Sequence, residues 1–320
     1  MNDININTIL DEIEKAEVEP TSVGIYNAKT AGQWIKDAAS RSNPVNLWNE
    51  CWYEGEVCCL FADSNIGKSI LAVQIGIEIA KSQKVMYFDY ELSDKQFQLR
   101  YSQGDLLYPF PNNFFRVEID RMNISDDFEN AAINDMEDIA LKIGAKVIII
   151  DNITWLCTDS EKGGDATILM KKLLSLKFKY GWSLLVIAHT PKRNLFSPIT
   201  QNDLGGSKRL FNFFDSVFAI GKSTKDEALR YVKQVKVRYG SYKYDSDNVM
   251  LYEIEKQDTF TSFIFKGYST EREHLQERTV KDDVEILSKV KELHADGKSV
   301  RDIALELGLS KSKVGRLIKR

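Results

Sequence analysis

The stretch Phe61-Ala62-Asp63-Ser64-Asn65-Ile66-Gly67-Lys68-Ser69-Ile70, "FADSNIGKSI", decides how the chain is read. It fits the phosphate-binding pattern G-x-x-x-x-G-K-[ST] except at the first position, where Ala62 replaces glycine. The apolar run "EVCCLFA" (56–62) precedes it and a helical pattern follows, which is the strand–loop–helix context the motif requires. Backbone N–H groups of such a loop and of the helix N-terminus cradle phosphate. On this reading Ala62, Asp63, Ser64, Asn65, Ile66, Gly67, Lys68 and Ser69 bind nucleotide. Lys68 reaches the terminal phosphates and Ser69 holds Mg²⁺. Gly67 belongs where the loop passes close to phosphate with little room for a side chain. Alanine at position 62 costs less, being small and needing no positive φ. Asp63 is the odd residue, because a carboxylate beside triphosphate repels it unless it points away.

Working outward, "KVMYFDY" (84–90), "NFFRVEI" (113–119), "KVIIID" (146–151) and "SLLVIAH" (183–189) are further short runs rich in β-branched and aromatic residues. Helical patterns lie at 68–81, 92–105, 127–143 and 166–179. Continuous apolar strands alternating with helices predict an α/β fold, a mainly parallel sheet covered on both faces. Such sheets bind ligands at the carboxyl ends of their strands. Asp151 ends one strand and would hold the Mg²⁺ water shell, although alone it could simply cap the next segment. Asp89 and Glu91 end another. Either can take a proton from an attacking water, and either can instead cap the helix that starts near Ser93. His189 ends a third strand, either as a structural histidine or as a residue that senses the γ-phosphate. Lys192 and Arg193 follow it in a loop able to reach a phosphate backbone.

The chain has 320 residues, 43% hydrophobic and 28% charged, which excludes a disordered chain. A net charge of -4 announces no polyanion partner, so any nucleic-acid surface must be local. Cys51, Cys58, Cys59 and Cys157 form neither a metal pair nor a disulfide framework; they read as core residues in a reducing compartment. The opening "MNDININTILDEIEKAE" lacks a basic-then-apolar leader, and no apolar run is long enough to cross a bilayer. A cytoplasmic protein without a membrane partner is expected.

Residues 1–45 read as a short helical lead-in, with "NTILDEIEKA" and "TAGQWIKDAAS" at helical spacing. Residues 46–268 form the core. Its last part, "LRYVKQVKVRYG", "VMLYEIEKQ" and "TSFIFKGY", alternates as antiparallel strands do and extends the same sheet. Residues 269–282 are a polar connector. Residues 283–320 form three helical faces: Ile286, Val290 and Leu293; Val300, Ile303, Ala304 and Leu307; and Val314, Leu317 and Ile318. Gly308 interrupts the pattern and Ser310 can cap the last helix. This is the helix-turn-helix plan. Its last helix carries Lys311, Lys313, Arg316, Lys319 and Arg320 and no acidic residue, a basic surface suited to duplex DNA. An ordinary protein-interaction module is the competing reading.

The chain resembles the RecA-like P-loop ATPases of the hexameric replicative helicase branch, which includes DnaB-type and plasmid RepA-type proteins. The likeness covers roughly residues 45–245. "VMYFDYELS" resembles the strand ending in the catalytic glutamate, which falls on Glu91. "KVIIIDNI" is similar to the Walker B strand, with the metal-associated carboxylate on Asp151. "LLVIAHTPK" places on His189 the residue that couples nucleotide state to a DNA-binding loop. "DLGGSKRLFNFFDSVFAI" implies a DNA-facing loop around residues 190–207, with Lys208 just beyond it. "KVRYG" matches K-x-R-x-G and implies that Lys236 and Arg238 reach into a neighbouring subunit's site; without the resemblance they read as a solvated strand face. The resemblance implies ATP, Mg²⁺, single-stranded DNA at the core loops and a homo-hexamer. It implies helicase or translocase activity for a plasmid or mobile element. The departures at Ala62 and Asp63, and the short lead-in, keep alternatives in play: a DNA-binding ATPase that loads, recombines or mobilises without unwinding, a nucleotide-switched transcriptional regulator, or a nucleotide-binding scaffold.

Overall fold

A computed structural model describes residues 19–120, 122, 128–156, 165–190, 196–204, 208–275, 280–307, 309 and 311–318. The expected helix at 7–16 and residues Cys157, Lys192, Arg193, Gly308, Ser310, Lys319 and Arg320 lie outside these, as do the side chains of Lys208, Lys311 and Lys313. The chain divides into two compact units, Met1–Val45 and Asn46–Arg320.

In the first unit the expected helix forms as α1 (Ala31–Ala39), where the Thr30 hydroxyl accepts the Gln33 N–H. The lead-in is not wholly helical. Strands β1 (Thr21–Val23) and β2 (Tyr26–Ala28) pair antiparallel. Gly24, at φ +58°, supplies the left-handed residue that closes so tight a turn.

The second unit opens with a small hairpin, β3 (Asn46–Trp48) and β4 (Trp52–Tyr53). Its main sheet contains β5 (Val57–Ala62), β6 (Val85–Asp89), β9 (Phe114–Glu118), β10 (Val147–Asp151), β11 (Ser183–His189), β12 (Ser216–Lys222), β13 (Leu229–Lys236), β14 (Val249–Gln257) and β15 (Phe260–Ser269). The spatial order is β15-β14-β13-β12-β5-β11-β10-β6-β9. From β12 to β9 every pairing is parallel; β13, β14 and β15 extend the sheet antiparallel, as their alternating pattern predicts. The parallel strands are apolar on both faces because both faces are covered. Val57, Cys59 and Phe61 of β5 enter one core with α4 (Phe128–Ile143), α5 (Asp165–Tyr180) and α6 (Lys208–Phe213). Cys58, Leu60 and Ala62 enter the other, beneath α2 (Lys68–Ala80). Cys51, Cys58 and Cys59 are buried free thiols.

One core helix is shorter than expected. The helix expected over 92–105 is α3 (Asp94–Arg100); it stops because Gly104, at φ +59°, turns the chain into the short pair β7 (Ser102–Gln103) and β8 (Leu106–Leu107). The polar connector begins with a buried charge. Glu271 is fully buried, pairs with the Lys233 ammonium at 2.6 Å, and accepts the Ile199 N–H at 2.6 Å and the Ser246 hydroxyl at 2.9 Å. A buried charge so paired and hydrogen-bonded is tolerated; its partner lies 38 residues away in sequence.

The tail folds as α7 (Val280–Ala295), α8 (Val300–Glu306) and α9 (Lys311–Ile318), around a small core of Val290, Ile303, Ala304 and Val314. Ile286, Leu293, Leu307, Leu317 and Ile318 pack against it. Val300 is turned outward instead, directly after Ser299, whose side chain caps α8.

Candidate nucleotide site

Ala62 ends β5, Gly67 caps α2, and Lys68 and Ser69 form that helix's first turn. Ser64 and Asn65 are exposed at the tip, while Ile66 is buried. Ala62 sits in a strand without positive φ, so the missing glycine leaves no strain. Gly67 does require glycine: its φ is +107°, and an added Cβ would lie 2.8 Å from Ile254 Cδ1 and 3.0 Å from the Phe263 ring. The cause is the β14–β15 hairpin packed over α2, where the Gln74 side chain brackets the Phe263 backbone. Packing, as well as phosphate, thus demands this residue.

Asp63 points away from the cradle: its carboxylate accepts the Thr190 hydroxyl just past β11. Lys68 Nζ donates to the carbonyls of Ala62 at 3.0 Å and Asp63 at 2.9 Å. Burial pulls the Lys68 ammonium pKa down, against the opposing pull of Asp151, Glu91 and Asp63.

The strand ends supply the rest. Asp151 is 2% exposed. It hydrogen-bonds Ser69 and accepts the Tyr87 hydroxyl at 2.6 Å. Loss of solvation nevertheless pushes its pKa up to about 6, with Glu91 and Asp89 adding to the rise. A buried carboxylate beside a serine hydroxyl is a set of hard oxygen donors short of a cation, which fits Mg²⁺. Because the folded pKa stands above the unfolded one, this group's contribution to stability is fully present below about pH 3.9 and lost as pH rises through 6. In metal-free buffer at pH 7.5, Asp151→Asn should therefore melt a few degrees higher than the parent, with the difference shrinking toward pH 5. Thermal melts with chelator at both pH values check this; a difference independent of pH would contradict it.

The two acidic candidates after β6 separate cleanly. Asp89 is buried, accepts Arg116 Nε at 2.9 Å and caps the N–H groups of Glu91 and Leu92. Ser93, with Gln96, forms the capping box of α3. Glu91 is left facing the pocket. The Asn152 amide donates to its carboxylate and lies 2.9 Å from His189 Nε2, which is itself 3.4 Å from Glu91 Oε1. The His189 hydrogen bond, more than any other influence, holds Glu91 below the usual carboxylate range.

Ser64, Asn65, Gly67, Lys68, Ser69, Glu91 and His189 line one cavity of about 720 Å³. Arg100 and Arg230 also line it and are not singled out by sequence. Asn152, which contacts Glu91 and His189, is likewise not singled out by sequence; its one sequence signal is its place directly after Asp151. No cluster of three or more metal-ligating His, Cys, Asp or Glu side chains exists among the described residues.

Lys236 and Arg238 stand elsewhere. Lys236 Nζ donates to the Phe211 carbonyl at 3.2 Å, and Arg238 pairs with Asp215 at 2.6 Å. Asp215 also accepts Lys177 and the Val57 N–H, so this cluster sits where β5 begins. The nucleotide loop sits where β5 ends. The AAA domain family matches residues 26–194, more than half of the chain, spanning the loop, Glu91, Asp151 and His189. The chain belongs to the AAA domain family. Its core is an AAA-type, RecA-like P-loop ATPase fold. Lys236, Arg238 and the tail lie beyond the matched AAA domain.

The chain is also similar to the DNA repair protein RadA of Streptococcus pyogenes serotype M6, 22% identical over 250 residues, covering 73% of this chain and 50% of that protein. The RadA of Streptococcus pneumoniae is 21% identical over 247 residues, 72% and 53% of the two chains. The chain thus spans about half the length of these relatives. No described helix is long and apolar enough to cross a membrane.

Proposed function

We propose that this protein is a DNA-dependent ATPase that acts in recombination or repair of DNA. The observation that carries the reading is the convergence of Lys68, Ser69, Glu91 and His189 on one cavity at the carboxyl ends of parallel strands, with Asp151 buried behind it and hydrogen-bonded to Ser69. Lys68 and the loop N–H groups bind the triphosphate. Ser69 and Asp151 hold Mg²⁺, which when bound neutralises charge on the phosphates. Glu91, ionised and oriented by Asn152, takes the proton of the attacking water. His189 shares Asn152 and Glu91 as neighbours and directly precedes residues 190–207, the segment that this reading assigns to single-stranded DNA, so it can couple the phosphate end of the cavity to the DNA contact. Similarity to proteins named for DNA repair supports the DNA partner, and the basic α9 supports a second, duplex contact. The test is ATP turnover with and without single-stranded DNA, with Lys68→Ala as blank. Stimulation supports the reading; turnover unchanged by DNA would overturn it.

One observation favours the finer reading of a ring that separates strands, a homo-hexamer with shared sites. Lys236 ends β13 and Arg238 lies two residues beyond it, at the opposite end of the strand from Arg230 and the nucleotide cavity, roughly 20 Å along. In the ring reading they would meet a nucleotide held by a neighbouring copy. Arg238→Ala should lower hydrolysis at least about tenfold while leaving nucleotide binding intact. Mixing it with Lys68→Ala should restore turnover above either variant alone. A mixture no more active than its parts would rule out the shared site. Strand separation is decided separately on a forked duplex.

A further inference from the structure

A second cavity, of about 290 Å³, opens where the β14–β15 hairpin, α2 and the turn after β3 meet. It shares no lining residue with the nucleotide cavity among the described residues. Its two α2 residues, Gln74 and Glu78, stand roughly 9 and 15 Å along the helix from Lys68.

Six aromatic side chains line it: Trp48, Tyr244, Tyr252, Phe263, Phe265 and Tyr268. Strand pairing gathers them, since Tyr252 lies opposite Phe265 and Met250 opposite Tyr268 on the two strands of the hairpin. The rings do not form a flat stack. Phe263 and Phe265 meet Tyr252 at 63° and 68°, and Tyr268 meets Phe265 at 67°. Rings at such angles wall a box. Trp48, Tyr244, Tyr252 and Phe263 are buried, whereas Phe265 and Tyr268 are 48% and 57% exposed and form its open side.

Glu78 is the one charged residue among the described residues that line the box. It stands on the exposed rim and forms no ion pair among the described residues; the Gln74 amide approaches it at 3.5 Å. Protein packed around the carboxyl raises its pKa above the ordinary range, against the opposing pull of Gln74 and Lys81. Its charge also reaches the rings: burial raises the pKa of the Tyr252 hydroxyl, and Glu78 adds to the rise.

Aromatic faces and a carboxylate both attract an organic cation. A guanidinium uses both, stacking its plane on rings while its N–H fork bonds the carboxylate. No described cation lines the box to meet the α-carboxylate of a free amino acid, so the side chain alone is recognised. We propose that the aromatic box with Glu78 is a docking site for an arginine side chain of a protein partner, separate from the nucleotide site.

The test is a saturation-transfer NMR titration of the full chain with acetyl-arginine amide. The parent should bind it, and should bind the neutral citrulline counterpart, of the same shape, at least about tenfold more weakly. Glu78→Gln should weaken acetyl-arginine amide about tenfold and Phe265→Ala about fivefold. Both positions are exposed, so both variants should fold, and their ADP affinity should stay within about twofold of the parent's. No binding by the parent would overturn the proposal, as would parental affinity in Glu78→Gln. Equal binding of the citrulline compound would make the box an apolar crevice. Free arginine held more tightly than the amide would make the ligand an amino acid and not a partner's side chain. Displacement of the amide by ADP would place the cation in the nucleotide cavity. Each of these three results would also overturn it.

Discussion

Lys68→Ala should fold and yet turn over no measurable ATP, a loss of about a thousandfold or more. Lys68 is the cation placed inside the phosphate loop, 6% exposed and bonded to the carbonyls of Ala62 and Asp63. Charge developing on the terminal phosphates in the transition state meets this ammonium in a water-poor site, where a fixed positive group counts for far more than in water. Stability should respond in the opposite sense to activity. Burial already disfavours the charged lysine, so removing it relieves that penalty. We expect a melting temperature equal to or above the parent's, measured alongside turnover and ADP binding. Turnover within threefold of the parent would remove Lys68 from the chemistry.

Glu91→Gln should lower kcat by roughly 10²–10⁴ while nucleotide binding changes little. Glutamine keeps the size of the side chain and a carbonyl for the Asn152 amide, but cannot take a proton. The carboxylate is well placed to accept one, since His189 and Lys68 keep it ionised and it is half-exposed toward the cavity. Asp89→Asn is the informative contrast. Asp89 holds Arg116, which also donates to the Leu92 carbonyl at 2.5 Å, so its loss should loosen the segment carrying Glu91 and lower the melting temperature. Single-turnover hydrolysis and equilibrium binding of both variants separate the roles. A Glu91→Gln enzyme at parental kcat would return the base to another group.

Residues 55–220 declare the α/β core because local chemistry suffices there. Buried parallel strands must be continuously apolar, their helices amphipathic, and a phosphate loop must end in glycine, lysine and a hydroxyl. Asp151 and His189 could be found by their position at strand ends alone. The choice between Asp89 and Glu91 could not, since both are acids two residues apart. It turns on Arg116, which reaches β6 from the neighbouring strand and neutralises Asp89. Asp63, an apparent defect in the loop, is turned aside for a similar reason: its carboxylate accepts the hydroxyl of Thr190, 127 residues away.

The remaining differences are all of this long-range kind. Short-range pattern carries periodicity, caps and turns, and so it shows α2, β5 and the three helices of the tail. It carries no information on which distant charge will neutralise a buried one. The Lys233–Glu271 pair, the hold of Asp215 on Arg238 and the backbone bonds that aim Arg230 into the cavity all join residues brought together by sheet order. Burying an ion or orienting a guanidinium requires partners arranged in three dimensions. Those arrangements are set by the sheet order, which lays β13 between β12 and β14.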